Sequence, residues 1–440
     1  MAERCLFKLR NRSPVFFLGW KGSGRIAAIL LFFLCLLQAA PAARARTGEQ
    51  PLEAEIGRLM EHGGCVITRN HKILFSRQAD TLLVPASTWK LATALLALKT
   101  LGPDFHFETR FYVDHAANLY IQGFGDPYVI SEEIAPIMGQ LKRRVARIND
   151  IVLADSAFKL ASPADGAGDS LNPYDAANGA LAANFNTINI TMARDGTIRS
   201  AEPQTPTIPL MRELGRGLPA GTHRINIGND KEKVLQHLGE LFRAFQEKAG
   251  IPGRGTIRSG EIPPSLTPIY IHRGSRPLTE IIRGLMRYSN NFIANQVFLT
   301  CGARVTGYPA TWAKARAALA DFLHHQIGLT DQEVQVDEGS GLSRRNRITP
   351  RAMLRLLEAF EPYAKLLPKH QGLLLKSGTL TGVYAYAGYL QGKNGPDELV
   401  LILNQEDNVR DRLVELFKRL YGESTPPLLS KTNEEVRMKN

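Results

Sequence analysis

Ser87 and Lys90 stand three residues apart at the head of an apolar helical run, Leu91, Leu95 and Leu98, with Pro85 ahead of it and Gly102-Pro103 closing it. One helical turn stacks such a pair, so hydroxyl and amine share a face. At the start of a helix the hydroxyl also meets N–H groups that lack intrahelical partners. Together these are the parts of a nucleophile, a proton acceptor and a cradle for an oxyanion. Alone the pair is common, and an N-capping serine beside a surface lysine accounts for it equally well. Two more polar runs bear on the choice. Ser289-Asn290-Asn291 breaks two helical runs, and Lys376-Ser377-Gly378-Thr379 ends a strand-like one.

These segments need a frame. A helix is predicted over 53–62, then strands at 65–68 and 73–76 around Asn70-His71, leading into the Ser87 helix. From 105 to about 264 the texture changes to short strands (107–113, 119–122, 151–154), glycine turns and a loop-rich stretch over 161–178. One amphipathic helix interrupts it at 231–249, with Asp230 as N-cap and Gly250 as stop. Helices follow at 278–287, 292–300, 311–325 and 349–360, then strands at 373–377, 384–390 and 398–404 and a helix at 410–421. Strand-rich ends flanking helices predict one α/β (α+β) domain built from 43–104 and 265–422, interrupted by a mainly β insert over 105–264. The charged tail from 423 to 440 is predicted to be disordered.

Composition bounds the function. The 440 residues are 44% apolar and 22% charged, as in ordinary globular proteins. The net charge of +12 is inflated by Arg4, Lys8, Arg10, Arg12, Lys21 and Arg25, opposed in the first 42 residues only by Glu3, and the remainder carries +7. No basic block in that remainder is interleaved with aromatics, which argues against nucleic acid as a partner. Residues 1–42 read as a secretory signal: a basic leader, twelve apolar residues at 26–37, then small residues at cleavage spacing. An uncleaved anchor is the alternative, and this segment is the only expected contact with a membrane. Cys65 and Cys301 remain after export, expected as buried thiols with a disulfide as the alternative. No cysteine/histidine spacing suits a metal, Gly339-x-Gly341 lacks the lysine of a phosphate loop, and no cofactor is expected.

Serine-x-x-lysine, serine-x-asparagine and lysine-hydroxyl-glycine, in that order, resemble the triple signature of penicillin-recognising serine enzymes. With Leu101-Gly102-Pro103-Asp104-Phe105, Gly125-Asp126-Pro127 and Asp337-Glu338-Gly339-Ser340-Gly341-Leu342-Ser343-Arg344, the chain over about 50–420 resembles the D-alanyl-D-alanine carboxypeptidase/endopeptidase family, the low-molecular-mass class C penicillin-binding proteins. The resemblance implies a β-lactamase/transpeptidase-like domain of antiparallel sheet flanked by helices. It also implies a periplasmic enzyme that cleaves the D-Ala-D-Ala terminus, or D-alanyl cross-links, of peptidoglycan stem peptides, with β-lactams as covalent inhibitors.

In that scheme Ser87 attacks, Lys90 takes its proton once burial and a neighbouring cation lower its pKa, and Lys376 is that cation. Ser289 passes a proton to the leaving group and Asn291 holds the substrate backbone. Ser377 binds the terminal carboxylate, Gly378 lets substrate lie close, and the N–H groups of Ser87 and Thr379 receive the oxyanion. Asp175, in Asn172-Pro173-Tyr174-Asp175, would pair with the amine of a diaminopimelate-type stem, with Arg344 lining that subsite. Two departures stand out: Ser377 replaces the usual threonine, and Asn290 replaces a common aspartate near the site. Tyr288-Ser289-Asn290 also spells a tyrosine-x-asparagine register that would make Tyr288 the catalytic group. A β-lactamase or esterase of the same superfamily is the alternative enzyme, although no glutamate-x-x-leucine-asparagine motif activates a deacylating water. A non-catalytic peptidoglycan-binding protein is the alternative from another class.

Overall fold

The computed structural model describes residues 49–370, 372–392 and 395–421; the expected signal (1–42) and tail (423–440) lie outside the described residues. After helix α1 (Glu49–Leu59), strands β1 (Gly63–Arg69) and β2 (Lys72–Arg77) form the predicted hairpin. Its turn places Asn70 and His71 at positive φ, which asparagine tolerates well. Near the other end come β13 (Lys369–His370), β14 (Leu373–Leu380), β15 (Val383–Gly392) and β16 (Gly395–Leu403). The two ends make one six-stranded sheet, ordered β13-β14-β15-β16-β1-β2, with every pair antiparallel. Val66, Ala387, Val400 and Ile402 face the main core, while the alternate residues Cys65, Ile67, Leu399 and Leu401 are also buried. Burial at both phases of a period-two pattern means that both faces of the sheet are covered.

The helices on the main-core side explain why Ser87 lies deep in the chain's architecture. Helix α2 (Lys90–Thr100) is buried along Lys90–Leu98, and three strands of the sheet and four helices share its core. Burying Leu91, Leu95 and Leu96 stabilises it by roughly 1.5–3 kcal/mol each.

Between the sheet's two halves the chain forms β3 (Glu108–Val113), β4 (Leu119–Gly123), α3 (Ser131–Lys142), β5 (Ile151–Ala154), β6 (Thr187–Met192), β7 (Ile198–Ser200), α4 (Pro209–Leu214), β8 (Gly221–Asn226), α5 (Lys231–Lys248), β9 (Ile257–Ser259) and β10 (Tyr270–Arg273). These build a five-stranded sheet, β10-β3-β4-β5-β9, and a three-stranded one, β7-β6-β8, around a second hydrophobic cluster. Several features differ from the sequence expectation. The insert is not mainly β, since α3 and α4 join the expected α5 and its helices carry as many residues as its strands. The five-stranded sheet contains two parallel pairs, β4–β5 and β5–β9, which require helical crossovers. It also takes its edge strand from beyond residue 264. The chain then returns to the main core as α6 (Leu278–Tyr288), α7 (Asn291–Thr306), α8 (Trp312–His325), the short pair β11 (Val334–Gln335) and β12 (Arg347–Ile348), and α9 (Pro350–Phe360); α10 (Arg410–Tyr421) follows the last strand. Asp230 caps α5 and Thr349 caps α9, as their sequence positions predict.

Among the described residues, Cys65 and Cys301 are buried free thiols, no metal-binding cluster occurs, and no helix is long and apolar enough to cross a membrane.

Candidate active site

Ser87 occupies a tight 3-10 turn, Ala86–Trp89, directly ahead of α2. Ala86 has φ 47° and is fully buried, a conformation that a non-glycine residue keeps only when its surroundings fix it. They do so here through three side chains: Thr88 Oγ1 donates to Pro85 O (2.7 Å), Trp89 Nε1 to Glu338 O (2.7 Å) and Thr93 Oγ1 to Gly339 O (2.6 Å). The serine is thus clamped against the 338–346 loop.

Lys90 Nζ lies 2.9 Å from Ser87 Oγ, 2.8 Å from Asn291 Oδ1 and 2.6 Å from Ser340 O. Burial holds its pKa well below the ordinary lysine value; the Lys376 cation adds to that, and Glu338 opposes it. A neutral amine has two hydrogens and one lone pair. With the hydrogens on Asn291 and Ser340, the lone pair is left facing the serine hydroxyl, which is what a general base requires.

Lys376 Nζ donates to Ser289 Oγ (2.8 Å) and to Ser377 O (2.7 Å). Burial, with the Arg410 guanidinium second, brings its pKa down to about 7. Ser289 sits in the left-handed region (φ 54°, ψ 34°) at the end of α6 and turns the chain into α7. Asn290 accepts from Ile293 N (3.0 Å) as the N-cap of α7. The expected loss of a site charge at this position is therefore a cap substitution, since asparagine and aspartate cap equally well. Tyr288 is 71% exposed with Arg287 against its ring, so the lysine contacts favour the register that uses Ser289.

Beyond Leu373–Leu374, which pair with β13, the outer edge of β14 has no strand neighbour among the described residues and runs past the serine turn. A Cβ at Gly378 would lie 2.7 Å from Pro85 O and 3.1 Å from Ser87 N, so only glycine permits this approach. Ser377 and Thr379 are exposed on either side of it. Arg410, absent from the sequence reading, donates from Nη1 to Gly378 O and Thr379 Oγ1 (both 2.8 Å) and stacks 4.6 Å over Tyr386. Its only sequence signal is a basic residue in the first turn of the last helix, where the dipole disfavours one.

The two softer expectations fare differently. Arg344 is exposed and donates to Thr381 O (2.5 Å) at the end of the β14–β15 hairpin. The Pro173–Asp175 turn does reach the site, because Asn291 Nδ2 donates to Tyr174 O (3.3 Å). The Asp175 carboxylate, however, is 4% exposed and accepts from Gly168 N (3.0 Å) and Ser170 Oγ (2.5 Å). In this conformation each of its oxygens holds the loop through one hydrogen bond, and the carboxylate is buried rather than open to the cleft.

Three remote segments therefore converge on one cleft, and fold and cleft together define a serine acyl-transfer enzyme with a β-lactamase/transpeptidase-like domain. Residues 54–214 and 216–367 match the D-Ala-D-Ala carboxypeptidase 3 (S13) family, and the chain belongs to that family of serine D,D-peptidases. It is 24% identical to a D-alanyl-D-alanine carboxypeptidase of Actinomadura sp. (strain R39), the alignment covering 86% of each chain. It is 22% identical to the D-alanyl-D-alanine carboxypeptidase DacB of Haemophilus influenzae, over 80% of this chain and 88% of that one. The crystal structure of penicillin binding protein 4 (dacB) from Haemophilus influenzae superposes with a TM-score of 0.69 at 20% identity, covering 84% of this chain and 98% of that one.

Proposed function

We propose that the protein hydrolyses the D-Ala-D-Ala terminus, or D-alanyl cross-links, of peptidoglycan stem peptides through an ester on Ser87. The observation that carries this reading is the Lys90 amine, 2.9 Å from Ser87 Oγ with two other oxygens to take its hydrogens. Ser87 Oγ attacks the penultimate D-alanine carbonyl while its proton passes to Lys90 Nζ. The N–H groups of Ser87 and Thr379 receive the oxyanion; losing one such donor typically costs about 3–4 kcal/mol. The C–N bond then breaks, and the leaving amine takes a proton from Ser289, whose oxygen is held by the Lys376 amine. The proton that Lys90 took from Ser87 replaces it on Ser289, so Lys90 is neutral again. Water attacks the ester, its proton returns through Lys90, and Ser87 is restored. Ser377, Thr379 and the Lys376 cation face the terminal carboxylate, and the substrate backbone lies along the free edge of β14. The same geometry accepts the strained amide and carboxylate of a β-lactam.

Export to the periplasm by the leading segment completes the reading. It is tested by labelling with a fluorescent penicillin and mapping the products from purified muropeptides. The wild type should label stoichiometrically and release D-alanine or separate dimers, and Ser87→Ala should do neither. A wild type that labels nowhere, or hydrolyses the lactam at many turnovers per second, would sink it.

A further inference from the structure

Behind Lys90 lies a carboxylate that the scheme above does not use. Glu338 is 1% exposed and accepts from four consecutive backbone N–H groups: Ser340 at 2.7 Å, Gly341 at 2.6 Å, Leu342 at 2.9 Å and Ser343 at 3.3 Å. Asn346 Nδ2 adds a fifth donor at 2.8 Å. A carboxylate is acceptor-only when ionised, and a ring of donors alone matches that form. The loop needs one anchor; it has several others, since Asn295 Oδ1 accepts from Gly339 N and Asn346 Oδ1 from Asp337 N, both at 2.7 Å. A buried charge is a costly way to fix a loop already fixed by neutral amides.

The geometry points to a second role. Ser340 and Gly341 share one peptide unit, and that unit is bonded at both ends. Its N–H donates to Glu338 Oε1 at 2.6 Å, and its C=O accepts from Lys90 Nζ at 2.6 Å. Opposite ends of a trans peptide point in opposite directions, so carboxylate, peptide, amine and serine hydroxyl form one hydrogen-bonded chain. We propose that Glu338 is a positioning residue that acts on Lys90 through the Ser340–Gly341 peptide, making the amine a stronger proton acceptor and stabilising the ammonium formed when Ser87 gives up its proton. An N–H held by an anion polarises its own carbonyl, and hydrogen bonds in such a chain strengthen one another. Gly341 keeps the unit in place: it has φ 80°, and a Cβ there would collide with the Ala86 carbonyl oxygen. The charged groups acting on Lys90 are two, Lys376 from β14 and Glu338 from this loop, and Glu338 is the negative one. Arg410 acts on Lys376.

The inference rests on Lys90 being the base, and the test separates the two ideas. Acylation by benzylpenicillin is followed from acid to alkaline pH in wild type, Lys90→Met, Glu338→Gln and Glu338→Asp. Lys90 must be neutral to accept a proton, so the acid limb marks its ionisation. Removing the negative neighbour makes the ammonium less favourable, so Glu338→Gln should move that limb to lower pH by on the order of one unit. The plateau should fall about tenfold, because a weaker base takes the proton. Glu338→Asp keeps the charge but draws it back, and should restore most of both. A loop that merely loosened would lower the plateau and leave the limb where it was. If Glu338→Gln does not fold, the limb of Glu338→Asp decides: a small shift to lower pH supports the relay, and none overturns it. An unmoved limb in Glu338→Gln, with Lys90→Met inactive, sinks the relay alone. Acylation of Lys90→Met at the wild-type rate sinks the base assignment as well.

Discussion

The two walls of the cleft are built on opposite plans. On one side the serine turn, α2 and the 338–346 loop bury Lys90, Ser340 and Asn346 in one set of hydrogen bonds, with one carboxylate, Glu338, behind the amine. On the other side β14 presents the exposed hydroxyls of Ser377 and Thr379, backed by two cations, Lys376 and Arg410. A dry wall with a satisfied amine suits moving a proton, because a low dielectric makes each contact count. An edge of exposed hydroxyls in front of a buried lysine and a half-buried arginine suits catching and releasing an anion. Each wall keeps one lysine far from its ordinary pKa, but for different work.

This contrast can be broken from either side. The largest effect is expected for Lys90→Met, which removes the proposed base and should slow acylation by about 10³-fold, read by stopped-flow with a chromogenic cephalosporin. Lys376→Met should cost about 10²-fold and carry a distinguishing sign. Losing the cation beside Lys90 lets the remaining ammonium form more easily, so the acid limb should move to higher pH, opposite to Glu338→Gln. A limb that moves downward would contradict the electrostatic assignment. Gly378→Ala forces a methyl against Pro85 O and should lower acylation about tenfold and stability by about 1–3 kcal/mol, by denaturant titration.

Arg410→Gln should weaken binding of benzylpenicillin several-fold yet leave its methyl ester unaffected, since a single exposed charge pair is worth about 1 kcal/mol or less. With Lys376 titrating at about 7, affinity for the acid but not the ester should also fall as pH rises past that value. Asn290→Asp is the smallest change, expected to leave stability within a few tenths of a kcal/mol because both residues cap α7.

What the sequence reveals of this cleft follows how each contact is made. Side chains with short, specific spacing are legible: Ser87 with Lys90, and the polar breaks at Ser289–Asn291 and Lys376–Thr379. The third partner of Lys90 is a backbone carbonyl, Ser340 O, and a carbonyl leaves no mark on residue type. Arg410 reaches β14 only because the last helix folds back over it, a tertiary event that no local pattern encodes. Asp175 shows a further limit: its turn is in the expected place, but the side chain's rotamer is set by Ser170 and Gly168.

The same division holds for the fold. Helices with strong amphipathic faces and capped ends, such as α5 and α9, lie close to their expected bounds. Helix α3 escaped because Pro136 sits inside it, and the parallel pairing of β4, β5 and β9 because alternation in one strand does not specify its neighbour.

Strand β16 pairs with β1 across more than three hundred residues, Gly63 facing Leu403. Synthesis therefore delivers the reactive serine long before the strands that complete its surroundings. Until β14 to β16 arrive, the early hairpin has no partner along one side and the buried amine has no dry cavity to sit in. Contacts of such long range form slowly and leave half-made sheets exposed. The catalytic apparatus is assembled last, so a nascent chain is inert toward peptide bonds until its final strand docks.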